Sequence, residues 1–128
     1  ASAEHVEPWL DSLAYRVDTD EGSFVFTGDT RPCLSVEKLS RGADVVVFVC
    51  VGIQDEISDK PESLYMCGTT DAGKLAQRAE AKKLVLVHNL FIGDHGPMER
   101  AVSDIAKVYD GQIIVGEEMM DVPLDPRQ

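Results

Sequence analysis

The sequence predicts an α/β fold in which a mixed β-sheet carries helices packed on one face. Two apolar segments, residues 13–17 and 24–26, flank the turn-rich stretch 18–22 and predict an antiparallel hairpin. Residues 43–51 form a nearly continuous apolar run, which is typical of a strand covered on both faces. After these segments, helical and strand-like patterns alternate along the chain, and this order favours a layered sheet.

A short helix is predicted between the hairpin and the buried strand, with Ser35 as its cap and Leu39 at its end. Residues 54–62 are polar, contain one proline and predict a loop. Thr70 is expected to cap the next helix, because the apolar residues after it recur at helical spacing. These residues are Ala72, Leu75, Ala76 and Ala79.

The remaining segments complete the alternation. Residues 84–87 and 112–115 predict two further strands. Between them, Pro97 suits the first turn of a helix whose apolar stripe runs from Met98 to Tyr109. We expect residues 1–128 to form a single unit. Because little sequence precedes the hairpin to cover its second face, this unit is expected to be half of a larger fold.

The amino-acid composition limits the classes of substrate and partner that we expect. The 128 residues are 44% hydrophobic, and 23 acidic against 12 basic residues give a net charge of −11. This charge, with no run of Lys or Arg, favours a small-molecule substrate over nucleic acid. No apolar stretch approaches the roughly 18–20 residues that cross a bilayer, so no membrane contact is expected. Three cysteines without a C-x-x-C pair predict reduced thiols in a cytoplasmic protein.

An aspartate and a histidine follow two of the predicted strands. Asp29 comes after the strand that ends at Gly28, and His88 directly follows residues 84–87. In α/β proteins reactive groups gather where strands end, because the scaffold is rigid there and the loops vary. We therefore expect Asp29 and His88 to meet at one edge of the sheet, in either a metal site or an acid–base site.

Four segments carry a family resemblance. His5 lies ahead of Leu13-Ala14-Tyr15-Arg16, and Phe26-Thr27-Gly28-Asp29-Thr30 closes a strand. Residues 39–47 lead into the buried strand, and residues 79–88 end at the second histidine. In this order and spacing the segments resemble the C-terminal half of a metallo-β-lactamase-superfamily hydrolase, closest to its ribonuclease Z-like and arylsulfatase-like branches.

The resemblance implies half of a four-layered αβ/βα sandwich and a set of metal ligands. His5 would bind one ion, Asp29 would bridge two ions as the catalytic carboxylate, and His88 would bind the second. Two divalent cations, with Zn²⁺ expected, would supply metal-bound hydroxide to cleave an ester, lactone, sulfate or phosphodiester bond.

The family's first metal motif, H-x-H-x-D-H, is absent from this sequence. The resemblance therefore implies a partner, the N-terminal half of the same fold, in a separate chain or a missing segment. Without it this chain is expected to hydrolyse little. We also expect a homo-oligomer.

Two departures from the family pattern leave alternatives open. Residues 65–70 lack the histidine of the pattern H-T-T-x-x-x-A, and Val49-Cys50 stand where E-C is common. A catalytically inactive remnant that serves assembly or binding is the first alternative. The second is a doubly wound binding domain that meets a phosphate after Gly28, although its loop is poor in glycine. His95 is expected to be a loop residue and a possible substrate contact.

Overall fold

A computed structural model describes residues 2–3, 12–57, 67–88 and 95–124, with only the backbone of 2–3 and 95–97. The elements in chain order are β1 (Ser2–Ala3), β2 (Ser12–Leu13), β3 (Tyr15–Thr19), β4 (Gly22–Phe26), α1 (Leu34–Ser40), β5 (Val45–Gly52), α2 (Gln54–Ile57), β6 (Cys67–Gly68), α3 (Thr69–Arg78), β7 (Lys83–Val87), α4 (His95–Ala106) and β8 (Gln112–Val115).

The predicted hairpin is confirmed. β3 and β4 pair antiparallel from Tyr15 opposite Phe26 to Thr19 opposite Gly22, so the turn is limited to two residues. The Thr19 side chain closes this turn, because its hydroxyl oxygen accepts the backbone N–H of Gly22 at 3.2 Å. The first strand is therefore shifted along the chain from residues 13–17 to Tyr15–Thr19, the second strand is longer, and the turn is shorter than the sequence pattern indicates.

The main sheet is mixed, as predicted. Its strand order is β3-β4-β5-β7-β8, with β6 paired to the end of β5. β4, β5, β7 and β8 are all parallel, and only the hairpin strand β3 runs the other way. The parallel strands end together at one edge, which we call the carboxyl edge; the opposite edge, where they begin, is the amino edge.

One face of the sheet is buried under the helices. Val25, Val46, Leu84 and Ile113 are register partners on adjacent strands and therefore share this face. The first three are fully buried in the core, and Ile113 packs against it. Residues of α1, α3 and α4 complete the same core: Val36, Ala72, Leu75, Ala76, Ala101 and Ile105.

The second face of the sheet, called here the open face, is also apolar but is only partly covered. Tyr15, Val17 and Phe26 alternate onto it and are 60%, 42% and 43% exposed. At the amino edge the C-terminal segment reaches this face, since Lys83 Nζ donates to the carbonyl oxygen of Pro123 at 2.6 Å. The predicted arrangement of helices on one face is thus confirmed, and the open face has the composition of a packing surface.

The helix caps differ from the prediction. α1 begins after Cys33 rather than at Ser35. The N-cap residue of α3 is Gly68 rather than Thr70. The carboxylate of Asp71, in the first turn, accepts the Gly68 N–H at 3.4 Å and so supplies the side-chain bond at the start of the helix. Part of the predicted loop 54–62 is helical as α2, and residues 58–62 lie outside the described ranges.

Candidate metal centre

The carboxyl edge brings Asp29 and His88 together. Asp29 lies three residues beyond the end of β4, and His88 directly follows β7, with β5 between these two strands. The Asp29 Oδ1 and His88 Nδ1 atoms are 3.8 Å apart. Both side chains remain open to solvent, at 49% and 59% exposure.

This separation fits a shared cation better than a direct bond. At 3.8 Å the two atoms are too far apart for a hydrogen bond. With ligand bonds of about 2.1 Å, two donor atoms on one zinc ion lie no more than about 4.2 Å apart. A carboxylate oxygen and an imidazole nitrogen are also ordinary zinc donors. The pair therefore passes the geometric and the chemical test for ligands of one ion.

The backbone adopts positive φ just before Asp29 and at His88, a conformation that residues with a side chain rarely adopt. Gly28 has φ +63° and His88 has φ +53°. A Cβ atom at Gly28 would lie 2.7 Å from the carbonyl oxygen of Leu13, so glycine is required there for close approach as well as for its φ. Such conformations cluster at functional sites, where the surrounding structure holds them in place.

Buried side chains hold the Asp29 loop from both sides. Thr27 is fully buried, and its hydroxyl oxygen accepts the Val49 N–H at 3.2 Å. Thr30 is also fully buried, and its carbonyl oxygen accepts the Cys67 thiol at 3.3 Å. Burial raises the pKa of Cys67, so this thiol stays protonated and remains a donor.

A further contact supports Asp29 from the N-terminal segment. The Ser12 hydroxyl donates to the backbone carbonyl oxygen of Asp29 at 2.5 Å. Ser12 in turn pairs with Ala3 between β2 and β1. Sequence reasoning missed Ser12. Its position directly before Leu13-Ala14-Tyr15-Arg16, a segment already singled out, is the signal that could have found it.

The other expected site residues are less completely described. His5 lies outside the described residues. His95 is the first residue of α4, so its assignment to a loop was wrong, and its side chain is not described. Pro97 falls in the first turn of α4, as expected. In the described ranges no group of three or more His, Cys, Asp or Glu residues is placed to hold a metal. The assignment of His5, Asp29 and His88 as ligands stays a prediction.

Gly68, in the segment that lacks the family's histidine, lies against the side chains of Gln54 and Ile57. The segment that lacks this histidine, residues 65–70, is described only from Cys67 onward, and Gly68 is the residue before α3. A Cβ there would lie 2.5 Å from Gln54 Oε1 and 2.9 Å from Ile57 Cδ1. Gln54 is fixed in this place, because its Oε1 accepts the Asp71 N–H at 3.1 Å and its Nε2 donates to the Asp71 carboxylate at 3.1 Å.

Comparison with known proteins identifies the fold. No family model matches the chain. Metallo-beta-lactamase fold protein YhfI from Bacillus subtilis superposes with a TM-score of 0.75 at 20% identity, over 91% of this chain and 45% of that one. A putative ribonuclease Z of Mycobacterium tuberculosis is 28% identical over 100% of this chain and 59% of its own length. The chain therefore has the metallo-β-lactamase fold. A ribonuclease Z of Methanosarcina mazei is 32% identical over 80% of the chain and 33% of its own length.

Two consequences follow from these comparisons. The chain spans about half the length of the relatives it matches, at 59% and 48% for the first two. The expected preference for a small-molecule substrate over nucleic acid is wrong, because these relatives are named for a ribonuclease activity. Net charge was a poor guide, since it averages over the whole surface and says nothing about a local site. No helix in the described ranges has the length and apolar character needed to span a membrane.

Proposed function

We propose that this chain is the C-terminal half of a metal-dependent hydrolase that cleaves a phosphodiester bond in RNA. The observation that carries the proposal is the 3.8 Å approach of Asp29 and His88 at the carboxyl edge. The names of the relatives supply the substrate class. The proposed reaction needs an accessible site, and both side chains are about half exposed.

In this proposal Asp29 bridges two divalent cations, with Zn²⁺ expected, and His88 binds one of them. His5 binds the other. His5 follows Ala3 by two residues, and Ala3 pairs with Ser12, whose hydroxyl contacts the Asp29 carbonyl oxygen. At about 3.3 Å per extended residue, this spacing keeps His5 within reach of the same site.

Bound divalent cations supply Lewis acidity and lower the pKa of water, which allows attack on a phosphodiester at neutral pH. The chain's own residues orient the ligands. Gly28 lets the backbone turn against Leu13, and Ser12 holds the carbonyl group of Asp29. Thr27 ties the same loop to β5, so the carboxylate is presented from a rigid support.

A complete site requires a partner for this chain. Three ligands shared by two cations leave each ion short of the usual four, and the motif H-x-H-x-D-H is not in this sequence. We propose that the N-terminal half of the same fold supplies that motif and packs on the open face. The exposed Tyr15, Val17 and Phe26 on that face support this arrangement.

The test uses the full-length protein that contains this chain. We expect about two bound metal ions per complete site and hydrolysis of a labelled RNA that a chelator abolishes. Asp29→Asn should lower the rate of RNA hydrolysis by more than about 100-fold, because loss of a metal ligand costs more activity than loss of the hydrogen bonds that orient it. Asp20→Asn is the matched control, since Asp20 is an exposed turn residue of the hairpin. Metal-independent hydrolysis, or an active Asp29→Asn variant, would contradict the proposal.

One observation favours the alternative, an inactive remnant that serves assembly or binding. Residues 65–70 lack the histidine that the family pattern carries in this segment. Metal analysis of the full-length protein separates the two functions. A protein that binds no metal and hydrolyses no RNA is the remnant, whereas about two ions per site support the enzyme.

A further inference from the structure

The fold gathers basic side chains that are far apart in the sequence. Arg16 Nη1 donates to the Arg41 carbonyl oxygen at 2.8 Å, and the Gly42 N–H donates to the Ala79 carbonyl oxygen at 2.8 Å. The first bond joins β3 to the end of α1, and the second joins the end of α1 to the end of α3, both at the amino edge. The bases collected around this junction are Arg16, Lys38, Arg41, Arg78 and Lys82.

A pocket of about 320 Å³ lies at this junction. It is lined by Arg41, Gly42, Arg78, Ala79 and Glu80. Gly42 has φ +66°, and apart from its two chain neighbours no described residue lies within 4 Å of the position that a Cβ would occupy. A ligand can therefore approach between the two guanidinium groups.

The two arginines of the pocket retain free hydrogen-bond donors. Within the described part of the chain, the Arg41 guanidinium has no hydrogen-bond or ion-pair partner. Arg78 uses its Nε atom to contact Glu37 Oε2 at 3.1 Å, and its side chain is 55% exposed. Neither arginine is needed for the carbonyl groups at the end of α1, because Arg16 donates to those of Leu39 and Arg41.

The surrounding acids reduce the positive charge of the pocket but do not cancel it. Asp18 pairs with Arg16, and Lys82 Nζ lies 2.6 Å from Asp44 Oδ1. Glu37 pairs with Arg78, and Glu80 lines the pocket itself. Of the two arginines that line the pocket, Arg78 pairs with Glu37, whereas Arg41 has no acid partner in the part of the chain that the structure describes.

We propose that the pocket between Arg41 and Arg78 binds a backbone phosphate of RNA, at a point remote from the metal centre. Guanidinium groups present paired donors that match phosphate oxygens, and exposed arginines suit a long, flexible polyanion. The inference rests on the proposed RNA substrate. It adds a contact that no basic run in the sequence indicates.

The distance between the two sites sets the size of RNA that can use both. From Gly42 to Val49, level with the end of β7, is seven residues, or about 23 Å at about 3.3 Å per residue. At about 3.4 Å per phosphate along one strand, an RNA shorter than roughly seven nucleotides cannot bridge them. The pocket should therefore affect long substrates and leave short ones unchanged.

The test compares Arg41→Glu with Lys107→Glu in the full-length protein. Each variant replaces one basic side chain at the amino edge by an acidic one. Lys107 does not line the pocket, and its side chain is 72% exposed. We expect Arg41→Glu to raise KM for a long RNA hairpin, to leave kcat unchanged, and to reduce the slope of log affinity against log salt by about 1. Hydrolysis of bis(p-nitrophenyl) phosphate should be unaffected. The Arg41 side chain makes no hydrogen bond or ion pair with the residues that the structure describes, so the variant should fold.

Equal effects of Arg41→Glu and Lys107→Glu on KM would overturn the inference, as would an unchanged KM and salt slope for Arg41→Glu. If inorganic phosphate raises the Tm of the parent protein but not of Arg41→Glu, while RNA binding is equal in both, the ligand is free phosphate and the RNA assignment is wrong. If the full-length protein hydrolyses neither substrate, the proposed function fails. Fluorescence anisotropy with the same hairpin then still decides whether Arg41→Glu weakens RNA binding.

Discussion

The two edges of the sheet use charged residues differently. At the amino edge Asp44 pairs with Lys82 at 2.6 Å, and Glu37 pairs with Arg78 at 3.1 Å. At the carboxyl edge Asp29 and His88 stand 3.8 Å apart without a direct bond. The pairs at the amino edge join the chain to itself, whereas the carboxyl edge holds two metal-type donors that a third species can bind. This contrast is why we place the chemistry at the carboxyl edge.

The backbone offers a matched comparison of the same two edges. Among the described residues, each edge has a glycine and a non-glycine residue with φ between +50° and +70°: Gly28 and His88 at the carboxyl edge, Gly42 and Glu80 at the amino edge. Gly22, at the amino edge, also has positive φ, at +150°. Glu80 follows the end of α3, where a left-handed residue is an ordinary helix ending. His88 follows a strand, where no such ending is needed. Positive φ at His88 therefore indicates function, and the same φ at Glu80 indicates a helix terminus.

The largest effect is expected from His88→Gly. Metal affinity of the full-length protein should fall by more than about 100-fold, because a ligand is lost. The free energy of unfolding should stay the same or rise by up to about 1 kcal/mol, because glycine accepts positive φ without strain. Isothermal titration with zinc and chemical denaturation measure the two quantities. Glu80→Gly is the control, with the same effect on stability and none on zinc affinity. A lower zinc affinity in Glu80→Gly would break the contrast between the edges.

A smaller effect is expected from Gly28→Ala. The new Cβ would meet the Leu13 carbonyl oxygen at 2.7 Å, in addition to the strain of positive φ, so unfolding should require about 2 kcal/mol less. Gly42→Ala has the same φ problem but open space, so its loss should be about 1 kcal/mol. Urea denaturation of both variants gives the difference. Equal losses would mean that the contact with Leu13 does not constrain the Asp29 loop.

The smallest effect is expected from Asp44→Asn at the amino edge. The bond from Lys82 and then the backbone N–H of Ser23 hold the pKa of Asp44 below its usual value. A lowered folded-state pKa stabilises the protein above the unfolded-state value of about 4, and this stabilisation is lost as pH falls through the folded-state pKa. Asp44→Asn should therefore reduce the free energy of unfolding by about 1 kcal/mol at neutral pH.

The two proteins should become equally stable in acid. Thermal unfolding followed from neutral to low pH checks the expectation. A difference between them that persists at low pH would mean that packing at Asp44, rather than its charge, explains the loss.

The fold could be predicted from the sequence because its strands differ in burial. The apolar run 43–51 became the central strand β5, with neighbours on both sides, and the hairpin kept its predicted partners. Helix caps could not be predicted as well, since Asp71 acts from inside α3 while Thr70 carries the usual N-cap side chain. Both Ser35 and Thr70 were plausible from residue type alone.

The site was partly predictable for a similar reason. Asp29 and His88 each follow the end of a strand. Parallel strands bring their ends to one edge of the sheet, so the approach of the two side chains follows from the order of elements. Ser12 and the pocket at Arg41 could not be found this way. Each depends on contacts between segments that only the folded chain brings together.

The central claim is that Asp29 and His88 bind one cation between them. Crystals of the full-length protein grown with zinc, measured at the zinc absorption edge, test it most directly. The account predicts an anomalous peak within about 2.2 Å of both an Asp29 carboxylate oxygen and a His88 ring nitrogen. Zinc bound elsewhere, or no peak between these two side chains at saturating zinc, would contradict it.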